Sequence, residues 1–506
     1  MNHALILPIL VPAVVGALLV IVARHDRVLA RVFSLVSMLA MLVIALGLFV
    51  SASDGSVRIY ALGAWPAPFG IVLALDRLSA LMLLLAAVLG LGVLLYAING
   101  WDQRGKHFHP LYQFQLMGIN GAFLTGDFFN LFVFFEILLI ASYGLMVHGG
   151  GGLRVKAGVQ YVVTNLIGSS VFLIAVGLIY SVTGTLNMAD LAVKVPQVPA
   201  ADQALLQTGA VLLLLVFAVK AALVPLHFWL PGTYANAPGP VAALFAIMTK
   251  VGAYSIIRLY VLAFGAGAGE AAWLAAPWLL PAALVTLVLG MTGVLAARSL
   301  GQMASFAVIG SMGLLLATVA VFTAQATSAA LYYLIHSTLA AGALFLIADL
   351  VVERRGPLRD RLVPAPRIAQ GGLIATLFFI AAIGATGMPP LSGFLGKLLV
   401  LDAVRASAHA GWLWALILST SLIAIVGFSR GGSIVFWKSH ALPVAPAPAH
   451  RGGALPFVAV GGLLGCLTLL TVCAGPVHAW LELTAAQLYA PAGYIEAVLG
   501  TAGTVR

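Results

Sequence analysis

The sequence predicts an all-α polytopic membrane protein with about fourteen transmembrane helices. Of its 506 residues, 62% are hydrophobic and only 8% are charged, and the mean hydropathy is +1.10. Soluble globular domains carry about 25% charged residues. Apolar runs of about 20 residues, the length of a helix that crosses a hydrocarbon core of roughly 30 Å, recur along the whole chain. This composition excludes an ordinary soluble domain.

The apolar runs set the positions of the predicted spans. The spans are centred near residues 14, 40, 87, 117, 138, 171, 215, 252, 285, 311, 338, 384, 424 and 465. The first run, from about Ala4 to Ala23, lacks the basic start and small-residue cleavage site of a signal peptide, and Arg24 and Arg27 follow it. We therefore expect a retained first span.

The loops between the spans predict the orientation. With the N-terminus outside, sixteen of the 25 Lys and Arg residues fall in inner loops and five in outer segments, as the positive-inside rule requires. The inner residues are Arg24, Arg27, Arg31, Arg104, Lys106, Arg154, Lys156, Arg298, Arg354, Arg355, Arg359, Arg361, Arg367, Arg430, Lys438 and Arg451, and the outer ones are Arg58, Arg77, Lys194, Arg405 and Arg506. Both termini are therefore expected on the outer side.

Four basic residues fall in no loop and lie within predicted spans: Lys220, Lys250, Arg258 and Lys397. A charge at membrane depth costs at least about 2.5–3.5 kcal/mol, so such residues normally face a partner or a hydrated interior and mark an ion or proton route. Arg258 lies two turns beyond Lys250, where a long side chain can snorkel to the interface. Interfacial snorkelling is the interpretation that we favour for Arg258.

Glu136 is a carboxylate in the middle of the apolar fifth span, GDFFNLFVFFEILLIAS. One interpretation is a structural hydrogen bond that holds two helices together. The other is a group that binds and releases a proton, or that holds a nearby lysine in its charged form. The mid-span position favours the second.

Two spans carry a lysine beside helix breakers. Lys220 precedes Pro225 by five residues, and Pro225 cannot donate the helical hydrogen bond. In the twelfth span Pro389 and Pro390 come first and Lys397 follows. Broken spans are tolerated where the freed backbone groups face protein or water, and the mirrored order resembles the paired broken helices of an inverted repeat.

Two histidines and one aspartate complete the polar set. His336 lies near mid-membrane, and with three lysines in neighbouring spans we expect a proton relay rather than only a packed side chain. His227 either bonds the freed backbone carbonyls or passes protons inward, and the sequence leaves both open. For Asp349, near the basic loop, we expect a surface pair with Arg354 or Arg355.

The sequence lacks the motifs of several other function classes. It has no phosphate-binding GxxxxGK[ST] loop, and its two cysteines, Cys466 and Cys473, form no iron–sulfur pattern. We therefore expect no cofactor and no direct ATP-driven pumping. The basic residues form no run, so the net charge of +10 does not indicate a nucleic-acid partner.

Three motifs together resemble a known family. They are TGDFFNLFVFFEILLIASYGL, KAALVPLHFWLPGTYANAPGPVAALFAIMTKVG and MPPLSGFLGKLLVL. In this order they are similar to the antiporter-like subunits of respiratory complex I, of membrane-bound hydrogenases and of the multisubunit Mrp (also Mnh or Pha) cation/proton antiporters. The GDFFNLFVFFE stretch and the twelfth-span lysine are most similar to the D subunits of the Mrp antiporters.

The resemblance implies roles and boundaries. It implies that Glu136 is partnered by Lys220, that Lys250 is the central lysine and Lys397 the terminal one, and that His336 links two half-channels. It also implies two inverted five-helix repeats with broken helices 7 and 12. The divisions are residues 1–100 with spans 1–3, 101–265 with spans 4–8, 266–440 with spans 9–13, and 441–506 with span 14 and the tail. The tenth span departs from the family pattern because it reads MASFAVIGSMG, with Ser305 and Phe306, which weakens a hydroxyl relay there.

The function that the resemblance implies is proton translocation in a Na⁺ or K⁺/proton antiporter of a bacterial cell (inner) membrane. The partners that it implies are the large A subunit, small hydrophobic subunits and lipid. The sequence shows no cluster of oxygen ligands for a hard cation, which leaves open whether the cation crosses in this chain or in a partner. The alternatives are a proton-pumping subunit of a complex I-type oxidoreductase or hydrogenase, and a non-conducting scaffold.

Overall fold

The computed structural model describes residues 3–22, 26–438 and 453–500, and within these ranges the chain is almost entirely helical. In chain order, the helices are α1 (Leu7–Ile21), α2 (Arg27–Ala52), α3 (Arg77–Ala97), α4 (Phe108–Leu124), α5 (Phe128–Met146), α6 (Gly152–Thr183), α7 (Met188–Lys194), α8 (Gln203–Ala221), α9 (Trp229–Asn236), α10 (Gly239–Leu262), α11 (Ala276–Ala296), α12 (Leu300–Val319), α13 (Ala324–Val352), α14 (Gly371–Thr386), α15 (Ser392–Val404), α16 (Ala410–Gly432), α17 (Leu455–Val472), α18 (Ala474–Tyr489) and α19 (Ala492–Leu499). Arg24, Arg451, Arg506 and both chain ends lie outside the described residues.

The all-α membrane class is confirmed. Among the described residues, eleven helices are long and apolar enough to cross a membrane. The spans predicted near residues 14 and 384 correspond to the shorter apolar helices α1 and α14. The predicted total of fourteen spans therefore stays a prediction.

A short hairpin, which the sequence did not lead us to expect, interrupts the helical pattern between α2 and α3. Strands β1 (Arg58–Ala61) and β2 (Val72–Leu75) pair antiparallel, with Arg58 opposite Leu75. Val72 and Ala74 pack against Tyr494 and Val498 of α19, a segment that we expected to belong to the tail. The hairpin thus holds the C-terminal helix against the bundle.

Helices α10, α12 and α13 form the centre of the bundle. In the apolar 18-residue stretch of each helix, the buried share is 100% for α10, 89% for α13 and 83% for α12. For α2 and α16 the buried share is only 33%. The outer helices instead expose aliphatic side chains such as Val43, Leu166 and Leu422, as lipid-facing helices do. Charged residues on the central helices are therefore surrounded by protein.

Glycine allows α11 and α12 to pack closely. A Cβ atom built on Gly290 would lie 2.2 Å from the backbone nitrogen of Gly310, and one on Gly313 would lie 2.3 Å from that of Leu287. Such close backbone approach is a usual role of small residues in membrane helices. It brings α11 against the central helix α12 without intervening side chains.

Two helix breaks place polar backbone inside the bundle. Helix α8 ends at Ala221, Ala222 adopts a left-handed φ of 54°, and α9 begins at Trp229. The Val224 amide donates to Thr286 Oγ1 at 2.9 Å, and Trp229 Nε1 donates to the Val219 carbonyl at 3.1 Å. Backbone groups that the break leaves without a helical partner thus form hydrogen bonds with side chains of the protein, because the membrane interior offers no water to replace them.

The second break lies between α14 and α15. Helix α14 ends at Thr386, Gly387 follows with a φ of +79°, and Pro389 and Pro390 separate it from α15 at Ser392. A Cβ atom on Gly387 would lie 2.6 Å from Lys397 Cδ. Only glycine therefore suits this turn beside the lysine.

Candidate functional site

Five ionisable side chains lie around the two breaks and the central helices; four are buried and one, Glu136, is partly exposed. Glu136 lies on α5, Lys220 at the end of α8, Lys250 in the middle of α10, His336 on α13 and Lys397 on α15. The side chains of Lys220, Lys250, His336 and Lys397 are all at least nine-tenths buried. The local apolar pattern makes each span helical, and the packing of α10 and α13 against their neighbours brings the polar side chains inward.

Glu136 and Lys220 are connected through α6. Ser169 Oγ donates a hydrogen bond to Glu136 Oε1, and Lys220 Nζ donates to Asn165 Oδ1 at 2.9 Å. Asn165 and Ser169 are four residues apart, so they lie on one face of α6. Glu136 also interacts electrostatically with Lys220.

The direct contact that we expected between Glu136 and Lys220 is not formed. No ion pair within 4.0 Å joins them in the described part of the chain. The physical reason is that the α6 side chains supply neutral partners to both charges, and Lys220 Nζ also lies 5.8 Å from the centroid of the Phe135 ring. Sequence reasoning missed Asn165 and Ser169, although their spacing in an apolar span was a usable signal.

Lys250 is the most isolated of the charges. It is 0% exposed, and its Nζ has no hydrogen-bond partner among the described residues. Moving an amine from water into a protein interior without a hydrogen-bond partner lowers the stability of the folded state. Lys250 therefore does not stabilise the bundle through a hydrogen bond of its ammonium group among the described residues.

Arg258 does not snorkel to the interface, so that expectation was wrong. Its guanidinium forms a two-pronged pair with Asp76 at 2.5 and 2.8 Å and contacts Ser79 Oγ at 3.2 Å. Its side chain is 5% exposed. The pair joins residues 182 positions apart, a distance over which the sequence pattern carries no signal. Arg258 is thus satisfied structurally and leaves Lys250 as the unpartnered cation of α10.

His336 links α13 to the second break. Its Nδ1 lies 2.9 Å from Ser392 Oγ at the start of α15, and Lys250 and Lys397 both act on it electrostatically. Ser311, His336 and Ser337 also line a cavity of about 20 Å³. A volume of roughly 10–15 Å³ suffices for one water. His336 therefore contacts a hydroxyl and borders a space large enough for one water.

The tenth-span serine that departs from the family pattern takes no part in this arrangement. Ser305 Oγ donates to the Gly301 carbonyl of its own helix at 2.7 Å. Ser311, two turns further along α12, lines the cavity instead. Sequence reasoning considered the first residue and missed the second.

Lys397 is held by the end of the broken helix. Its Nζ donates to the Thr386 carbonyl at 2.6 Å and to Ser421 Oγ of α16 at 2.8 Å. Thr386 is the last residue of α14, so its carbonyl has no helical partner. The break therefore supplies the acceptor that the ammonium needs.

His227 lies in the first break, between Pro225 and α9. Its ring is partly buried, and its Nδ1 has no hydrogen-bond partner in the part of the chain that the structure describes. A free imidazole nitrogen can accept or release a proton. Both interpretations of His227 stay open.

Gly393 is expected to be indispensable for the geometry at His336. A Cβ atom there would lie 1.9 Å from the Gly384 carbonyl and 2.8 Å from His336 Nε2. Gly393→Ala should therefore lower the thermal unfolding midpoint, by overpacking of about 1–3 kcal/mol. Gly372→Ala on α14, where nothing lies within 4 Å of the added Cβ, is the control and should not lower it. Equal stability of both variants would contradict this description of the break.

The chain is similar to known proteins over nearly its whole length. Residues 125–424 match the family described as "NADH:quinone oxidoreductase/Mrp antiporter, TM". The chain is 40% identical to the probable K⁺/H⁺ antiporter D subunit of Rhizobium meliloti (strain 1021), over 99% of this chain and 98% of that one. It is 38% identical to the Na⁺/H⁺ antiporter D subunit of Bacillus subtilis (strain 168), over 99% and 100%.

A solved structure has the same fold over the whole chain. A chain in the structure of the Mrp complex from Dietzia sp. DQ12-45-1b superposes with a TM-score of 0.86 at 27% identity, covering 99% of this chain and 100% of that one. The two sequence relatives are antiporter subunits, which are transporters rather than enzymes. The chain belongs to the NADH:quinone oxidoreductase/Mrp antiporter family of transmembrane subunits.

Proposed function

We propose that this chain is the proton-translocating subunit of a multisubunit antiporter that exchanges Na⁺ or K⁺ for protons. The observation that carries the proposal is Lys250, a fully buried amine without a hydrogen-bond partner among the described residues, at the centre of the bundle. The similarity to two antiporter D subunits along nearly the whole chain supports the exchange reaction.

The proposed proton path runs from Glu136 through Lys220, Lys250 and His336 to Lys397. Asn165 and Ser169 couple the first two groups, and Ser392 and the second break hold the last two. Like charges inside a bundle repel more strongly than in water. A proton that arrives on His336 therefore raises the free energy of the protons on Lys250 and Lys397, and a proton is released at the far end.

The topology that we propose has fourteen spans in two inverted five-helix repeats, with both termini outside a bacterial inner membrane. The mirrored order of lysine and break in α8–α9 and α14–α15 supports the repeats. Several side chains of the predicted inner loops meet one another: Arg31 binds Asp102 at 2.6 Å, Arg104 binds Glu353, and Arg154 binds the Asn236 carbonyl at 2.9 Å. These contacts support the placement of the predicted inner loops on the same side of the membrane.

The partners that we propose are the large A subunit and small hydrophobic subunits of an Mrp-type complex. Proton movement is assigned to this chain, whereas the cation crosses either here or in a partner. The family description also covers NADH:quinone oxidoreductases, so a redox-driven proton pump is the second candidate. It differs in its energy source rather than in its proton path.

The experiment is vesicle proton flux in an antiporter-deficient strain that carries the complete operon or the operon without this gene. We expect Na⁺- or K⁺-dependent proton movement only with the complete operon. Exchange that persists without the gene would overturn the proposal. Flux that requires NADH or hydrogen oxidation, and ignores added cation, would favour the redox-driven alternative.

Glu136→Gln is expected to lower this flux at least tenfold while the complex still assembles. Glutamine keeps an oxygen that can accept the Ser169 hydrogen bond, but it cannot bind and release a proton. The assay is the initial rate of cation-dependent proton movement in the same vesicles. Glu270→Gln in the loop before α11 is the matched control and should transport like wild type, and full flux in Glu136→Gln would remove Glu136 from the path.

A further inference from the structure

A small polar cavity lies at the end of α13, away from the groups described above. Its volume is about 40 Å³, and its lining includes two carboxylates, Asp349 and Asp360, and two guanidinium groups, Arg154 and Arg359. A volume of this size holds about two or three waters. The opposite charges balance, and the guanidinium groups disfavour a bound metal cation there.

Asp349 forms no surface pair with Arg354 or Arg355, so that expectation was wrong. Its side chain is 5% exposed, and Oδ2 accepts hydrogen bonds from Tyr96 Oη at 2.9 Å and from Trp101 Nε1 at 2.6 Å. Within the described ranges these are the side-chain hydrogen bonds of Asp349, and both end on Oδ2. The other oxygen, Oδ1, is left without a donor beside the cavity.

The loop that carries Trp101 is rigidly held. His148 Nε2 lies 2.9 Å from the Trp101 carbonyl, and the Arg104 guanidinium stacks 3.9 Å from the centre of the indole. Next to it, burial would raise the pKa of Asp102, but hydrogen bonds from His109 and Arg31 outweigh that effect and hold the pKa below its ordinary value. Trp101 therefore presents a fixed donor to Asp349.

The opposite wall of the site is α10. A Cβ atom on Gly239 would lie 2.3 Å from Asp349 Cβ, so this glycine faces the carboxylate. Lys250 follows eleven residues later, which is three helical turns, or about 16 Å, along nearly the same face of α10. The cavity already extends one turn inward, to Ala242 and Phe345.

We propose that Asp349 is a proton-binding site that takes protons from water in this cavity and passes them toward Lys250. A proton from a cavity water binds to Oδ1, while Tyr96 and Trp101 hold Oδ2 in place. A Cβ atom built on Gly342 of α13 would lie 4.0 Å from the Ala243 carbonyl oxygen of α10, which is ordinary packing contact, so waters have to enter between the two helices for the transfer to Lys250. This inference rests on the proposed function, and it assigns one mouth of the proton path.

The test is vesicle proton flux from the complete complex with Asp349→Asn and Asp349→Glu. Asparagine keeps an oxygen for Tyr96 and Trp101 but cannot carry a proton. We expect Asp349→Asn to assemble and to lose at least nine-tenths of the flux, while Asp349→Glu retains flux. Asp402→Asn near the end of α15, whose exposed carboxylate pairs only with the exposed Arg405 among the described ion pairs, is the matched control and should transport normally.

Two results would overturn the inference. One is wild-type flux in Asp349→Asn, and the other is failure of that variant to assemble, which would make the carboxylate structural. Lys250→Met is measured in parallel to separate the two proposals. Wild-type flux in Lys250→Met would contradict the proposed function itself. Wild-type flux in Asp349→Asn alone would contradict only the role of Asp349.

Discussion

Replacing Lys250 with methionine is expected to abolish proton transport and, at the same time, to stabilise the folded protein. Methionine has a similar length and volume but no polar atom to desolvate. Because Nζ has no hydrogen-bond partner in the described structure, its removal relieves an unsatisfied buried group, which typically costs about 1–3 kcal/mol. The thermal unfolding midpoint of the purified complex should therefore rise.

A fall in proton flux together with a rise in the unfolding midpoint separates a transport role of Lys250 from a structural one. A lysine that stabilises the bundle would lower the unfolding midpoint when removed. The control is Lys156→Met near the start of α6, where the lysine is exposed. Surface substitutions of this kind usually change stability by at most about 0.5 kcal/mol, so neither stability nor flux should change appreciably.

Replacing Asn165 with leucine is the second change with a large expected effect. Lys220 Nζ would lose the oxygen that it binds at 2.9 Å, and a hydrogen bond to a charged group contributes about 1.5–3 kcal/mol. The ammonium would be left buried without this acceptor, and its electrostatic coupling to Glu136 would no longer be positioned by α6. We expect a lower unfolding midpoint and at least a tenfold loss of cation-dependent flux.

The neighbouring Thr164 provides the matched control for Asn165. Its hydroxyl donates to the Gln160 carbonyl of its own helix at 2.9 Å, so Thr164→Val leaves the lysine untouched. Thermal unfolding and flux in vesicles should be close to wild type for this variant. Normal flux in Asn165→Leu would show that Lys220 does not depend on α6.

The sequence predicted the features that are local in the chain. Apolar runs indicated the spans because the membrane thickness fixes helix length, and Pro225 and Pro389 marked the breaks because proline cannot donate a helical hydrogen bond. Lys250 and Lys397 stood out because a charge at membrane depth is costly. Each of these signals is contained in about twenty consecutive residues.

The contacts between distant segments could not be predicted in this way. Asp76 with Arg258, Trp101 with Asp349, and Asn165 with Lys220 join residues 55 to 248 positions apart. Asn165 and Ser169 lie four residues apart in an apolar span, but nothing in the sequence shows which side chains of other helices they meet. Their roles depend on which helix faces are adjacent, which is set by the packing of the whole bundle.

The central claim is that protons cross the membrane along the buried charges of this chain. It is tested most directly in liposomes that contain the purified complex with Lys250→Met, by recording proton movement after an imposed Na⁺ or K⁺ gradient. The prediction is a proton flux equal to that of protein-free liposomes, with all subunits present in wild-type amounts. A flux equal to that of the wild-type complex would contradict the claim.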